Sequence, residues 1–289
     1  MTAPDTTARL AQFEELRPLL FSLAYRMLGS RSDAEDVVQE SYLRWQSAST
    51  PAIRSPKSYL TTVVARLSLD ALKTAHRKRE VYVGPWLPEP LLAADASTTF
   101  EMAESLSIAF LHVLESLSPA ERAAFLLHDI FEADYAEIAG TLDTTEENSR
   151  QLVSRARTRL RERRPRFIVD PLRQQAVLQR FLAACNSGDT SELATVLKED
   201  VVVYSDGGGK ARAALNPIYG ADKTIRFILG LMRKWPSDLS AGYFATINGE
   251  PGFVFTQEGS MASVLTLDLD EDERIRAVYF VANPDKLLH

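Results

Sequence analysis

The stretch that decides the fold is LSPAERAAFLLHDIFEADYAEIAGTLDTTEENSRQLVSRARTRLR, Leu117 to Arg161. Ser118-Pro119-Ala120-Glu121 opens a helix: a hydroxyl cap, a proline whose missing N–H is harmless in a first turn, and a glutamate placed to reach back. Tyr135 to Ala139 spaces its apolar residues as a short helix, and Gly140 to Asp143 reads as a turn ending in the apolar anchor Leu142. Thr144-Thr145-Glu146-Glu147 reads as a capping box that launches a long helix through Arg164. A short helix, a Gly-containing turn and an arginine-bearing second helix describe a helix-turn-helix. On the second helix Leu152, Val153, Ala156 and Leu160 pack inward, leaving Ser149, Arg150, Ser154, Arg155 and Arg157 outward.

Charge supports that reading locally, not globally. The chain has 289 residues, 45% of them hydrophobic, and a formal net charge of -6, so it does not coat nucleic acid indiscriminately. Residues 150 to 166 nevertheless hold eight arginines against the single acid Glu162. Such a run is either a solvated helix face or a surface that meets phosphates. The one cysteine, Cys185, excludes an intramolecular disulfide, and no Cys/His cluster has metal-ligand spacing. With no basic-apolar leader and no apolar run near the roughly 20 residues a bilayer requires, the expectation is a cytoplasmic protein without membrane contact, metal or cofactor.

Upstream, Phe13, Leu16, Leu20, Leu23 and Met27 form one helical stripe ended by Gly29. Ser32-Asp33-Ala34-Glu35 reads as a capping box for a second helix that buries Ala34, Val38, Tyr42 and Trp45 and leaves Asp33, Asp36 and Glu40 on another face. Ser47 to Ser58 is a polar, Pro-containing loop. A third helix then buries Leu60, Val63, Val64, Leu67 and Ala71, with Arg66, Lys73 and Arg77 on a different side. Its last turn, His76 to Arg79, is basic, which either complements the helix dipole or faces nucleic acid. Residues 81 to 99 form a linker containing Trp86-Leu87-Pro88-Glu89-Pro90, whose two prolines forbid helix and whose tryptophan needs a surface to dock on. Phe100 to Leu117 is again helical.

Beyond Pro165 and Pro171 the texture changes to helices at Leu172–Ser187, Thr190–Lys198 and Lys223–Lys234. Strands follow at Val201–Tyr204, Gly242–Ile247, Gly252–Gln257, Ala262–Leu269 and Arg274–Val281. Helices before strands suggest an α+β domain with a curved antiparallel sheet. The consecutive glycines Gly207, Gly208 and Gly209 permit positive backbone angles and close approach of another segment, or simply make a loose hairpin.

These segments resemble the extracytoplasmic-function sigma factors of RNA polymerase, in the group with a fused C-terminal SnoaL-like domain. DAEDVVQESYLRW (Asp33 to Trp45) is similar to that family's core-polymerase-binding helix, which implies a partner surface of Asp33, Asp36, Gln39 and Glu40. SPKSYLTTVVARLSLDALKTAHRKRE (Ser55 to Glu80) resembles its segment that melts DNA and reads the minus-10 element, with Arg66, Lys73, Arg77, Lys78 and Arg79 as backbone contacts. The loop before it is where the family captures an extruded base, and Tyr59 stands where relatives usually have Trp; packing at a helix start and base stacking are both open for it. Leu117 to Arg161 resembles the minus-35-reading region, with Thr145, Glu146, Ser149, Arg150, Gln151, Ser154, Arg155 and Arg157 toward DNA. The forks of Arg150 and Arg155 suit guanine edges there, and Glu146, Glu147, Ser149 and Gln151 suit other bases. FLAACNSGDTSELATVLKEDVVVYSDGGGK (Phe181 to Lys210) is similar to the opening of the SnoaL-like cone.

The resemblance divides the chain into residues 1–80, linker 81–99, helix-turn-helix region 100–166 and cone domain 171–289. It implies promoter DNA and core polymerase as partners. It also implies regulation in cis through three motifs: WLPEP (Trp86 to Pro90), DGGGK (Asp206, Gly207, Gly208, Gly209, Lys210) and NPDK (Asn283, Pro284, Asp285, Lys286). The alternatives are a DNA-binding activator that does not join polymerase and a small-molecule sensor. In the sensor reading the cone binds a ligand or retains isomerase- or cyclase-type activity, with Asp206 and Asp222 as its available acids. His112 and His128 stand singly on helices and read as packed or solvated, so no catalytic residue is assigned.

Overall fold

The computed structural model describes residues 3–48, 55–92, 106–163, 169–234 and 241–287. The chain forms two compact units, one from residues 1–80 with 113–165, the other from 81–112 with 166–289. Compactness thus groups the chain differently from its sequence segments, because residues 81–112 pack with the C-terminal part.

The helical unit begins with α1 (Ala3–Leu28), α2 (Arg31–Ser47) and α3 (Pro56–Glu80). Phe13, Leu20, Leu23 and Met27 of α1, Ala34, Val38 and Trp45 of α2, and Leu60, Val63 and Val64 of α3 are buried, as three stripes facing one core require. Gly29 ends α1 at φ +68°. The cap of α2 differs from the expectation: Ser30, in extended conformation, accepts from the Asp33 amide at 3.3 Å. The tight exit through Gly29 leaves only Ser30 outside the helix, so Ser32 is already within it. α3 starts earlier than expected because Ser55 caps it, accepting from the Ser58 amide at 3.2 Å, and Pro56 fits its first turn. Arg9 closes the other end of α2, donating to the carbonyls of Trp45, Gln46 and Ala48 at 2.9, 3.0 and 2.8 Å.

α4 (Ile108–Leu114) is shorter than the helix expected over 100–117: Ser107 caps it, accepting from the Phe110 amide at 3.1 Å, residues 115–117 are a turn, and residues 100–105 lie outside the described residues. α5 (Pro119–Phe125) has the Ser118–Glu121 capping box and runs on as a π turn, Leu126–Ile130. α6 (Tyr135–Leu142) has a second capping box, Asp134–Glu137. It continues through Gly140, and the left-handed residue that ends it is Asp143 at φ +53°, a conformation short polar side chains tolerate. α7 (Glu146–Arg163) is capped by Thr145, whose hydroxyl accepts from the Asn148 amide at 3.2 Å.

The C-terminal unit is α+β. α8 (Pro171–Ser187) and α9 (Thr190–Val196) precede β1 (Leu197–Asp206), which is longer than expected, and β2 (Ile218–Tyr219), which has no periodic signal of its own. α10 (Ala221–Lys234) is followed by β3 (Gly242–Ile247), β4 (Glu250–Gln257), β5 (Ser260–Leu269) and β6 (Ile275–Val281). The sheet order is β2-β1-β6-β5-β4-β3. It is antiparallel except for one pair, β1 with β6, because the strands from β3 to β6 form a meander that brings β6 back beside β1. Register shifts interrupt β1/β6, β4/β5 and β5/β6, and such bulges bend a sheet.

Both faces of this sheet are covered. Val203, Phe253, Leu265 and Val278 face the core beneath α8 and α9. Their neighbours Val254, Val264, Ala277 and Tyr279 face a second core with Leu87 of the linker and with Ile108 and Ala109 of α4. The linker is therefore a layer of this unit.

Candidate nucleic-acid interface and the hold on the linker

On α2, Asp33, Asp36 and Gln39 are exposed, and Glu40 is half-buried and paired with Arg44 at 3.0 Å. Helical spacing puts them on the side opposite Ala34, Val38 and Trp45, leaving a polar, largely acidic face.

On α7, Glu146, Glu147, Arg150, Gln151, Ser154 and Arg155 are exposed. Ser149 is not outward, contrary to its expected position: it is fully buried, and its hydroxyl donates to the Thr145 carbonyl at 3.0 Å. Helical spacing brings it beside Leu152 and Val153, on the inner edge. Arg157 is also drawn in, its Nε donating to Asp129 at 3.0 Å. Burial alone would raise the Asp129 carboxyl, but hydrogen bonds and charge from Arg157, with a smaller contribution from His128, hold it below the usual carboxylate range. Arg159 is bound to the buried Glu121 at 2.6 Å, with Arg155 at 3.8 Å from the same carboxylate. These arginines pin the helix to its own scaffold. Arg150 lies over the Tyr135 ring at 4.9 Å and pairs with exposed Glu146 at 2.9 Å, an exposed pair that exchanges partners at little cost. With Ser154, Thr158 and Arg161 it lines a shallow groove along α7. Thr145 is exposed at the head of that helix.

On α3, Lys73 is exposed and paired with Asp70 at 2.7 Å. Arg66 donates to the carbonyls of Thr141 and Gly140 at 3.0 and 2.5 Å. It thereby satisfies the open C-terminal end of α6. Two further contacts join α3 and α6, Ser58 to Glu137 at 2.7 Å and Thr62 to Thr141 at 3.2 Å. The side chains of Arg77, Lys78 and Arg79 lie outside the described residues, as do residues 49–54 of the polar loop and Arg164 and Arg166. Tyr59 packs against Trp45, ring centres 5.8 Å apart.

The three motifs WLPEP, DGGGK and NPDK meet around one carboxylate. Asp206, fully buried at the end of β1, accepts from the Tyr82 hydroxyl at 2.6 Å and the Gly208 amide at 3.1 Å on one oxygen. Its other oxygen accepts from the Leu87 amide at 2.8 Å and the Lys286 ammonium at 2.7 Å. Lys286 also donates to the Leu87 carbonyl and sits 4.1 Å above the Trp86 ring. Trp86 is thus half-buried, not an exposed side chain. Burial first, and then the Asp206 hydrogen bond, push the Tyr82 phenol above its ordinary range and keep it a donor. The Tyr82 hydroxyl in turn accepts from Asn283 at 2.8 Å. Lys210 pairs with Asp285 at 2.6 Å on the surface. Pro88, Glu89 and Pro90 are buried and Pro284 is exposed.

The glycines are required by proximity. At Gly208, φ +58°, a Cβ would stand 2.3 Å from the Asn283 amide, and at Gly207 it would stand 2.4 Å from the Ala211 carbonyl. Every lone-pair direction of Asp206 is occupied, so its carboxylate is structural. Asp222 is exposed in the first turn of α10.

A second hold was not anticipated from the sequence. Asn248, buried at φ +53° in the β3–β4 turn, accepts from the Leu91 amide at 2.9 Å. It also donates its side-chain amide to the Leu106 carbonyl at 3.0 Å and its backbone N–H to the Leu91 carbonyl at 2.8 Å. The signal was the Asn248-Gly249 pair, which marks a tight hairpin but does not disclose that the asparagine reaches another segment. His112 packs against Tyr204 and Tyr279, ring centres 4.4 and 5.7 Å away. Among the described residues no group of side chains is arranged to hold a metal ion, and no helix is long and apolar enough to cross a membrane.

Comparison with known proteins agrees with the geometry. The family model for sigma-70 region 2 matches residues 12–78 and that for sigma-70 region 4 matches residues 107–160. With the helix-turn-helix of α6 and α7, the two matches define a transcription protein of the sigma-70 type. The Mycobacterium tuberculosis ECF RNA polymerase sigma factor SigJ is 41% identical over 290 residues, which take in 96% of this chain and 92% of that protein. A probable ECF RNA polymerase sigma factor of the same organism, SigI, is 31% identical over 275 residues, 94% of this chain and 92% of that one. The crystal structure of SigJ superposes with a TM-score of 0.80 at 38% identity, covering 96% of this chain and 98% of the other. The chain belongs to the extracytoplasmic-function sigma factors of RNA polymerase.

Proposed function

We propose that the chain directs promoter-specific initiation in the cytoplasm and that its C-terminal unit regulates it in cis by holding the linker. In this reading the exposed acidic face of α2 (Asp33, Asp36, Gln39, Glu40) binds core polymerase. Arg66, Lys73 and the basic end of α3 meet the minus-10 region, and the outer face of α7 (Thr145, Glu146, Arg150, Gln151, Ser154, Arg155) reads the minus-35 element. The observation that carries the regulatory part is the buried Asp206 carboxylate, which takes donors from the linker (Tyr82, Leu87), from its own turn (Gly208) and from the chain's end (Lys286). A buried carboxylate so placed ties three distant segments, and removing its charge leaves Lys286 buried without its counter-ion.

The test is run-off transcription with core polymerase, comparing the full chain with Asp206→Asn. We expect promoter output to change at least about threefold, with exchange of the 81–92 amides accelerated. Unchanged output with an accelerated linker would refute regulation in cis. A separate comparison, Asp36→Arg with Glu40→Arg, abolishes core binding if α2 is the polymerase face and leaves it intact if the protein acts on DNA alone.

A further inference from the structure

The C-terminal unit contains a cavity of about 1130 Å³. It lies between Val203, Leu265, Val278 and Phe280 on the strands and Phe227, Ile228, Leu231 and Met232 on α10. The α10 residues are only half-buried: Phe227 and Ile228 pack against the core, yet with Leu231 and Met232 they also line the cavity, so the apolar side of this amphipathic helix is only partly covered. Such packing is unlike the close-fitted interior of small domains. The volume is slightly above the roughly 300–1000 Å³ usual for ligand pockets, and predominantly apolar walls with a few polar groups are their usual makeup. Here the polar groups are the hydroxyls of Ser205, Ser263 and Thr256 and the amide of Gln257; the one charged residue among the described lining is the exposed Arg212.

Two other lining residues are Val83, from the linker, and Gly209, from the DGGGK turn. A Cβ on Gly209 would stand 3.2 Å from the Val83 side chain, so the two touch at the rim. Val83 follows Tyr82, which is hydrogen-bonded to Asp206, and Gly209 follows Gly208, which donates to the same carboxylate. The wall of the cavity and the hold on the linker are thus built from consecutive residues.

We propose that this cavity binds a neutral, predominantly hydrophobic small molecule carrying one or two hydrogen-bonding oxygens, and that its occupant packs on Val83 and Gly209 and steadies the linker. The neutrality follows from the described lining, whose one charged side chain, Arg212, is exposed to solvent and so is poorly placed to compensate a buried ionic group. The coupling follows from contact: a ligand changes an equilibrium only by touching the two states differently, and here it touches the segment whose release is at issue. The coupling rests on the regulatory reading of the Asp206 cluster; the binding does not.

The experiment uses the full chain and Nile red, a neutral hydrophobic dye. Saturable binding at one site per chain is expected, with blue-shifted emission and slowed hydrogen exchange at the Leu87 amide. Two variants fill the cavity from opposite walls, Ala262→Phe on β5 and Met232→Trp on α10, and each should weaken the dye at least about tenfold. A variant counts only if its far-ultraviolet circular dichroism and melting curve remain those of a folded protein, and either one alone decides the point. Failure of the dye to saturate, or equal binding to a folded filled variant, overturns the site. Saturable binding that leaves Leu87 exchange unchanged overturns the coupling. Either failure is separable from the transcription test of Asp206→Asn, which involves no ligand.

Discussion

Two glycines show why a residue's meaning lies in its surroundings. Gly208 sits at φ +58° with the Asn283 amide 2.3 Å from where a Cβ would stand, and that amide is itself fixed by Tyr82 and the Asp285 backbone. Gly140 lies in α6 with nothing within 4 Å of the same position. Gly208→Ala therefore has to place a side chain in left-handed backbone and displace a pinned partner, a loss of more than about 2 kcal/mol. Gly140→Ala relieves the backbone entropy of glycine inside a helix and gains about 0.5–1 kcal/mol. Denaturant melts of the two variants check both signs, and equal effects would mean that the DGGGK turn is the loose hairpin the sequence also permitted. From the sequence alone those two glycines differ only in company. That DGGGK, WLPEP and NPDK belong together came from family resemblance, while the reason they do, one carboxylate with four donors, was legible in no local pattern because its partners are 119 and 80 residues away.

At the scale of elements, the arginine run separates into scaffold and surface. Arg157 and Arg159 are engaged by Asp129 and Glu121; Arg150 and Arg161 line the outer groove of α7, with Arg157 at once in the groove and held by Asp129. Arg161→Ala should leave the melting temperature unchanged and lower the salt slope of promoter binding by about 0.9 if it meets one phosphate. Asp129→Asn should instead weaken the helical unit by about 1 kcal/mol near neutral pH, the ion pair being discounted for the partial exposure of Arg157. The sign with pH is set by the depressed Asp129 carboxyl. Its contribution is full above the ordinary carboxylate range near pH 4 and vanishes as acid protonates it, so variant and parent converge at low pH. Urea melts across pH 3 to 7 measure this, and a gap that persists in acid would assign the effect to packing. Periodicity identified α7 and its inner residues, but not which outward arginines meet acids on α5 and the π turn, since that depends on how elements cross. The strands carry a hint in their composition. Apolar residues at consecutive positions, as in Val201–Val203, Phe253–Phe255 and Ala277–Val281, mean a sheet buried on both faces, and the second cover is the linker and α4.

At the scale of the whole molecule, the proposed regulation in cis turns on residues 81–112, which connect the two sigma regions. As a flexible chain that stretch spans roughly 30 Å on average; its described residues 81–92 and 106–112 are held in the C-terminal unit, at Asp206 and Asn248 among other contacts. Within the helical unit a second restraint acts, because Arg66 cannot donate to the Thr141 and Gly140 carbonyls and also hold a DNA backbone. If Arg66 holds the minus-10 backbone, as proposed above, α6 has to leave α3 for that strand to be taken up. The Thr62 and Thr141 hydroxyls are 3.2 Å apart, so thiols at these positions would face each other, and a disulfide requires them to close to about 2 Å. The native Cys185 will not compete, being buried with its thiol pushed up to about 12. Thr62→Cys with Thr141→Cys, oxidised, should therefore cut promoter opening at least about tenfold, and reduction should restore it, while each single substitution stays close to the parent. Permanganate footprinting of the opened strand with core polymerase distinguishes the outcomes. If the oxidised protein opens DNA as well as the reduced one, the packing of α3 against α6 is compatible with initiation, and Arg66 has no place among the residues that contact DNA.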